Sequence, residues 1–239
     1  MEFITTAVTF FQVGGSFMYP IAVVFAIGLA IAIERYFFLS AQTLKNRKDF
    51  DALLPLLKQR KLREATSITS KSKSAMSRIA ADGIARHSAT RRRSDIESAM
   101  EEGLLEILPS IERRTPYLAT FANVATLLGL LGTIIGLIAA FTAVANADPA
   151  EKATLLSQSI SIAMNTTAFG LIVAIPLLLI HSVLQSKTSA IVESLEIAVV
   201  KFLNLMEFEN AQTSAGVKAV APAAAAPRRP ASSQGRERR

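Results

Sequence analysis

The sequence contains no cysteine and no tryptophan, and it has only two histidines in 239 residues. The absence of cysteine excludes a disulfide framework, a thiol nucleophile and a cysteine-based metal site. The histidines, His87 and His181, are too far apart in the chain to form a helical ligand pair. No Ser/His/Asp motif, metal-ligand spacing or phosphate-binding loop is present. We therefore expect a protein that is not an enzyme and that needs no cofactor.

Acidic and basic side chains are missing from two long runs, residues 115–147 and 153–186. Each run exceeds the roughly 20 residues that a helix needs to cross a bilayer. A third apolar run, residues 17–33, ends at Glu34 and Arg35, which we interpret as an interfacial anchor. Since 51% of the residues are hydrophobic and occur in blocks, the sequence predicts a helical integral membrane protein.

The predicted architecture is an all-α integral membrane protein with three transmembrane helices and long cytoplasmic helical extensions. The first residues place apolar side chains at helical spacing, which is typical of a helix lying in the membrane interface. The last residues are rich in Ala, Pro, Ser and Arg without apolar periodicity, which favours disorder. The predicted segments are an interfacial amphipathic helix (1–15), transmembrane helix 1 (16–40), a cytoplasmic helical region (41–115), transmembrane helix 2 (116–147), a short outer connection (148–154), transmembrane helix 3 (155–187), a cytoplasmic helical extension (188–210) and a disordered cytoplasmic tail (211–239).

Basic residues are almost absent from one side of these spans. Of the 26 lysines and arginines, only Lys152 precedes the first span or lies between the second and third. The basic side of a membrane protein stays in the cytoplasm, so the amino terminus should lie outside and the carboxyl terminus inside. The net charge of +7 therefore indicates topology and contact with the lipid bilayer, and we expect no nucleic acid partner.

Small and hydroxyl-bearing residues recur in steps of three and four along the second and third spans. Small faces let membrane helices approach closely, with threonine hydroxyls bonded to backbone carbonyls. The same faces are also compatible with a pore wall whose hydroxyls help an ion to pass, and the residues alone leave both interpretations open. Because neither run contains Asp or Glu, a proton pathway would need a carboxylate from another polypeptide. The recurring residues are Thr126, Gly129, Thr133, Gly136 and Ala140 in the second span, and Ala163, Thr167, Gly170 and Ala174 in the third.

Two segments, IERRTPYLATFANVATLLGLLGTIIGLIAAF and SISIAMNTTAFGLIVAIPLL, resemble the MotA/TolQ/ExbB proton-channel family, most closely its ExbB branch. The resemblance covers roughly residues 17–205 and includes the large cytoplasmic loop between the first two spans. It implies a homopentamer around a central pore that encloses a dimer of a single-span ExbD/TolR-like partner carrying a membrane Asp. It also implies a TonB-like protein as recipient of the work, and a place in the bacterial inner membrane with residues 1–15 and 148–154 in the periplasm.

By motif match, the resemblance implies pore hydroxyls at Thr133 and Thr167. The wider set of pore-lining residues is Thr133, Thr167, Thr166, Thr126 and Asn165. The set expected to pack around the partner helix is Gly129, Gly136, Ala140, Ala163, Gly170 and Ala174.

Two features leave open which ion the channel would conduct. Many relatives have a glutamate where this chain has Ile162, and the Thr166–Thr167 pair resembles sodium-driven flagellar relatives, so sodium is an alternative to the proton. The expected function is an ion-channel and motor subunit that uses the proton or sodium motive force to energise TonB-dependent outer-membrane transport. A TolQ-like role in envelope maintenance and a non-conducting membrane scaffold are the alternatives.

Overall fold

The computed structural model describes residues 14–90 and 92–220, with side chains described up to residue 206. All regular structure in these residues is α-helical, and three helices (α1, α5 and α6) are long and apolar enough to cross a membrane. The prediction of an all-α protein with three membrane-spanning helices is thereby confirmed. The helices are α1 (Met18–Lys58), α2 (Leu62–Lys71), α3 (Ala75–Ala89), α4 (Arg93–Glu112), α5 (Thr115–Ala145) and α6 (Lys152–Val220).

The helices α1 and α6 continue far past any bilayer. At 1.5 Å per residue, the 41 residues of α1 extend roughly 60 Å and the 69 residues of α6 roughly 100 Å. Residues 211–220 belong to α6, so the prediction that the disordered tail begins at 211 is wrong there. Those residues contain no proline that would break a helix, and the next proline in the chain is Pro222. The interfacial helix predicted for 1–15 and the tail after 220 fall outside the described residues, except for 14–15.

Outside the apolar spans the chain forms a helical bundle, in which α2, α3 and α4 pack on the polar parts of α1 and α6. Its interior contains large aliphatic, sulfur-containing and aromatic side chains, such as Ile79, Met100 and Phe202, which are at most 1% exposed. These residues recur every three or four positions on each helix, so each helix buries one apolar stripe. The bundle holds the adjoining ends of the apolar helices in place.

The junction between α4 and α5 is fixed by a buried arginine of α1. The chain turns at Arg114, which has a φ of 72°. The turn leaves the carbonyl of Ile111 without a partner in its own helix. Arg35, which is 2% exposed, donates a hydrogen bond to that carbonyl and another, of 3.3 Å, to Thr115 Oγ1. The interpretation of Arg35 as an interfacial anchor is therefore wrong, because its guanidinium satisfies the backbone at a helix junction.

Candidate ion pathway along α5 and α6

The helices α5 and α6 are antiparallel neighbours that touch through their backbones. A Cβ built on Gly129 would lie 3.3 Å from the Cα of Gly170, and a Cβ on Gly170 would lie 2.8 Å from the carbonyl oxygen of Ala125. Nearer to the connection between the two helices, a Cβ on Gly136 would lie 2.9 Å from the Cβ of Ala163. The small residues therefore form the contact between two helices of the same chain.

This contact corrects the expectation that the small residues pack around a partner helix. Gly129, Gly136, Ala163 and Gly170 contact one another across the α5–α6 interface. Ala174 is buried in a cluster with side chains of α1 and α5, and Ala140 is buried as well. The physical reason is connectivity: only residues 146–151 separate α5 from α6, so the nearest surface for each small stripe is the other stripe.

One edge of the α5–α6 interface is covered by the beginning of α1. Successive residues of a helix are about 100° apart, so Gly132 and Thr166 lie to the same side of the line joining Gly129 and Gly170. A Cβ on Gly132 would lie 3.3 Å from the Cβ of Phe17, the residue before α1. Side chains on this edge are therefore enclosed between three segments of the chain.

Thr166 lies on this covered edge. It is 3% exposed, and its hydroxyl is 2.7 Å from the carbonyl oxygen of Gly14 and 3.0 Å from that of Ile162. The prediction that Thr166 lines a pore is wrong, because its hydroxyl ties α6 to the segment before α1. Asn165, which carries an amide, is rotated about 100° further, to the side of α6 that faces away from α5. It therefore does not lie beside the candidate threonines either.

The opposite edge of the interface, which we call the open edge, carries Thr126, Thr133 and Thr167. Around the axis of its own helix, each threonine is rotated by about 40–60° from the line that joins Gly129 and Gly170, in the direction away from α1. Thr126 is exposed, and Thr133 and Thr167 are half-buried. Of the five residues predicted to line a pore, the structure thus brings these three together on one accessible surface.

Each hydroxyl of the open edge donates its proton to a backbone carbonyl. Thr126 donates to Ala122 at 3.1 Å and Thr133 to Leu130 at 2.6 Å, both within α5. Thr167 donates across the interface to Gly129 at 2.9 Å, so the contact between the helices fixes its rotamer. A hydroxyl that has donated its proton still has lone pairs to accept a hydrogen bond or to coordinate a cation.

The open edge can therefore solvate a positive charge, but its three hydroxyls do not titrate in the accessible range. Residues 115–147 and 153–186 contain no Asp or Glu, and His181 is the one histidine in them. Among the described residues, no group of three or more His, Asp or Glu side chains is arranged to hold a metal ion. A carboxylate at this edge would therefore have to come from outside these two runs.

The geometry also bears on the choice between ions. The adjacent hydroxyls of Thr166 and Thr167 point to opposite edges of the interface, and both bond to backbone carbonyls. They do not converge on one cation. The Thr166–Thr167 pair therefore does not support sodium as the coupling ion.

Three spanning helices with a hydroxyl-bearing edge define a multi-pass helical membrane protein. The sequence profile of the MotA/TolQ/ExbB proton channel family matches residues 71–197, which is more than half of the chain. The chain belongs to this family, and the resemblance stated from the two motif segments is confirmed.

Individual relatives agree with this assignment. The chain is 28% identical over 199 residues to a putative biopolymer transport protein ExbB homolog of Methanothermobacter thermautotrophicus, covering 82% of this chain and 69% of that protein. It is 29% identical over 174 residues to a putative biopolymer transport protein, ExbB-like 3, of Synechocystis, covering 72% and 82%. It is 36% identical over 93 residues to the Tol-Pal system protein TolQ of Haemophilus influenzae, covering 39% and 40%.

Proposed function

We propose that this chain is the channel-forming subunit of a bacterial inner-membrane complex that uses the proton motive force to energise TonB-dependent transport across the outer membrane. The observation that carries the proposal is the open edge, where Thr126, Thr133 and Thr167 form an accessible row of hydroxyls on α5 and α6. In the proposed complex the amino terminus of this chain is periplasmic and its carboxyl terminus is cytoplasmic, which agrees with the distribution of lysine and arginine.

The missing acid defines the partner. An ionisable group inside a membrane is costly and is normally paired or hydrogen-bonded. Three hydroxyls that can still accept hydrogen bonds, on a surface without a carboxylate, fit a helix that brings a protonatable Asp. We therefore assign as partner an ExbD/TolR-like dimer with one span per chain, enclosed by five copies of this subunit whose open edges face the central pore.

The proposed role of the hydroxyls is to stabilise the protonated partner. When the Asp is neutral, its O–H can donate to Thr133 or Thr167, and a neutral hydrogen bond of this kind contributes about 0.5–1.5 kcal/mol. When the Asp ionises, that bond is lost and the carboxylate must find water or a cation. Alternation between these states, as protons enter and leave, would move the partner relative to the pore and deliver work to a TonB-like protein.

The test compares hydroxyls on the two edges of the same interface. Thr133→Ala and Thr167→Ala should each lower TonB-dependent growth and proton flux, by about two- to tenfold for the loss of one such hydrogen bond, while the complex still assembles. Thr167→Ser should restore both. Thr166→Val removes the neighbouring hydroxyl from the covered edge and should leave flux unchanged in protein that assembles. Assembly is checked by co-purification with the partner and native mass spectrometry. Normal growth and flux in both alanine variants would refute the pore role of the hydroxyls.

The similarity to TolQ supports a second candidate, a TolQ-like role in envelope maintenance. Deletion of the gene distinguishes the two: loss of TonB-dependent nutrient uptake supports the first role, and outer-membrane leakage with normal uptake supports the second. A non-conducting scaffold is the third possibility, and it predicts that every variant of the open edge with a defect also fails to assemble. The coupling ion is checked by collapsing the proton and sodium gradients in turn, with loss of function expected for the proton gradient only.

A further inference from the structure

A groove of about 480 Å³ lies between α3 and α4, on a surface that the proposed ion pathway does not use. Its walls contain four small residues, Ala85 and Ala89 of α3 and Ala99 and Gly103 of α4. A Cβ built on Gly103 would lie 2.6 Å from Oδ2 of Asp82, so the two helices approach closely there. The small lining residues leave the groove open to side chains of another segment.

Negative charge predominates along this groove. Asp82, Glu102 and Glu106 line it, and Arg86 is the one basic residue among the described residues that do so. Arg78 pairs with Glu106 at 2.9 Å, whereas Asp82 and Glu102 have no salt bridge within the described part of the chain. Burial, together with repulsion by Glu106 and Glu102, raises the pKa of the Asp82 carboxyl although Arg78 partly offsets the effect. A further cation in the groove would relieve this repulsion.

The helices α3 and α4 are acidic, although the whole chain has a net charge of +7. Together they contain seven Asp and Glu and three Arg, which gives a net charge of −4 (3 − 7). Residues 221–239, which follow α6 and which we call the basic segment, contain five Arg and one Glu, a net charge of +4 (5 − 1). The same chain therefore carries an acidic groove and a segment of opposite charge, which attract each other.

The basic segment is long enough to reach this groove. The guanidinium of Arg93, at the start of α4, donates a hydrogen bond of 3.3 Å to Oδ1 of Asn204 of α6. From that level α6 continues to Val220, roughly 24 Å further, whereas the groove begins near Ala99, roughly 9 Å along α4 in the other direction. The 19 residues of the basic segment (239 − 220), when extended, span at most roughly 65 Å, which is more than the roughly 33 Å between these two levels.

We propose that residues 221–239 dock in the groove between α3 and α4, with their arginines beside the carboxylates and their alanines and prolines against the small lining residues. The basic segment contains no large apolar side chain, so it cannot build a core of its own. Attraction between opposite charges is then the main force that holds it, and added salt weakens that force. The docked arginines bring cations to Asp82 and Glu102.

Disulfide cross-linking in the full chain tests this proposal, because the sequence has no cysteine of its own. Gly235→Cys places a thiol among the arginines of the basic segment, and Ala85→Cys places one in the groove. Thr66→Cys is the matched control, at an exposed position of α2 that does not line the groove. In chains with Gly235→Cys, the initial rate of cross-linking to Ala85→Cys should exceed that to Thr66→Cys at least about fivefold, because docking raises the local concentration of the thiol.

The size of the cross-linked product on a non-reducing gel shows which copy of the chain supplies the basic segment. A product of monomer size assigns the segment to the same chain, and a product of dimer size assigns it to a neighbouring copy. Both products support docking in the groove.

Charge variants test the nature of the contact. Glu102→Arg should lower the rate of cross-linking to Ala85→Cys about threefold or more, because it turns an attraction into a repulsion. Arg236→Glu in the same chain should restore part of the lost rate. The matched control is Glu196→Arg, which makes the same change of charge at an exposed position of α6 outside the groove. It should keep the rate within about twofold.

Three results would overturn the proposal. One is an equal rate of cross-linking to Ala85→Cys and to Thr66→Cys, which would show that the basic segment has no preferred site. Another is a rate that stays unchanged when the salt concentration rises from about 0.05 M to about 0.5 M, since salt screens a contact that is held by charge. The third is fast cross-linking in nanodiscs of phosphatidylcholine and its loss in nanodiscs that contain phosphatidylglycerol, which would assign the arginines to an anionic membrane surface.

Discussion

The membrane part of this chain and the helical bundle are packed by opposite means. Between α5 and α6 the contact is formed by Gly129 and Gly170, and the two backbones touch. In the bundle the contact is formed by large side chains such as Met100 and Phe202. Lipid is as apolar as leucine, so burial of a large side chain gains little in the membrane and close backbone approach must supply the attraction. In water, burial of the same side chain is the main driving force.

Two glycines from each part show the same difference. A Cβ on Gly129 or Gly170 would meet backbone atoms of the opposing helix. In the bundle, a Cβ on Gly103 would first meet Oδ2 of Asp82, and one on Gly83 would meet the side chain of Met100. A side chain can move aside more easily than a backbone, so the membrane interface should tolerate added atoms less well than the bundle does.

The largest effect that this comparison predicts follows the loss of a large side chain from the core of the bundle. Phe202 is 1% exposed and contacts the core of the bundle. Phe202→Ala should lower the free energy of unfolding of the bundle by about 3–5 kcal/mol, because it removes buried apolar surface and leaves a cavity. The measurement is denaturant unfolding of the purified chain in detergent, followed by hydrogen exchange in α3 and α4.

The matched control is Phe37→Ala, which shortens a side chain of α1 that is 68% exposed. It should change the free energy of unfolding by less than about 0.5 kcal/mol. The expected result is faster exchange in α3 and α4 than in α5. Equally fast exchange in α5 of Phe202→Ala would show that the membrane contact and the bundle open together.

The second prediction adds a methyl group to each part. Gly170→Ala should destabilise the α5–α6 interface by about 1–3 kcal/mol, because the new Cβ would lie 2.8 Å from a backbone oxygen. Gly103→Ala adds the same methyl group beside Asp82 Oδ2 and should be close to neutral, since alanine favours the helix by about 1 kcal/mol and the carboxylate can rotate. Both are measured by thermal unfolding in one detergent. An equal loss in the two variants would remove the distinction between the two kinds of contact.

The sequence alone predicts the spans and the spacing of the small residues, but it does not predict which surface the small residues touch. Helical periodicity shows that Gly129 and Gly170 lie on slim faces, and a slim face fits a second span of the same chain as well as a foreign helix. The neighbouring helix is set by the short connection at 146–151, which brings the small stripe of α6 against that of α5.

Two further cases show which features the sequence does not predict. Thr166 and Thr167 are chemically identical neighbours, and only the position of α1 decides that the first is enclosed and the second accessible. Arg35 follows an apolar run, as interfacial anchors do, and its burial depends on the turn at Arg114, which is 79 positions away in the chain (114 − 35). Long-range contacts of this kind leave no local pattern in the sequence.

The smallest predicted effects are electrostatic, and they concern two carboxyl groups of the bundle. Burial raises the pKa of the Asp49 carboxyl, but hydrogen bonds from Ser72, Ser74 and Ser77, with a smaller contribution from Lys48, outweigh burial and hold the pKa below its usual value of 3.8. A carboxyl whose pKa is lower in the folded than in the unfolded state stabilises the fold above the unfolded value, and the contribution is lost as the pH falls through the folded pKa.

Asp82 should act in the opposite direction, which makes it the matched comparison for Asp49. Burial, together with repulsion by Glu106 and Glu102, raises its pKa above 3.8 although Arg78 partly offsets the effect. Its carboxylate therefore opposes folding at neutral pH, and protonation relieves that cost as the pH falls through the raised pKa. Asp49→Asn should lower and Asp82→Asn should raise the free energy of unfolding at pH 7, each by less than about 1 kcal/mol because both groups remain partly solvated.

The two Asp variants should differ in how stability responds to acid. As the pH falls below 3.8 and through the lowered pKa of Asp49, Asp49→Asn should converge with the unmodified chain, because protonation then removes the contribution of that carboxylate. The advantage of Asp82→Asn should likewise disappear once Asp82 is protonated. Both pH dependences should be visible in hydrogen exchange of α3 and absent from the α5–α6 interface, where residues 115–147 and 153–186 carry no Asp or Glu. An acid-dependent change of the same size at that interface would show that the two parts unfold as one unit.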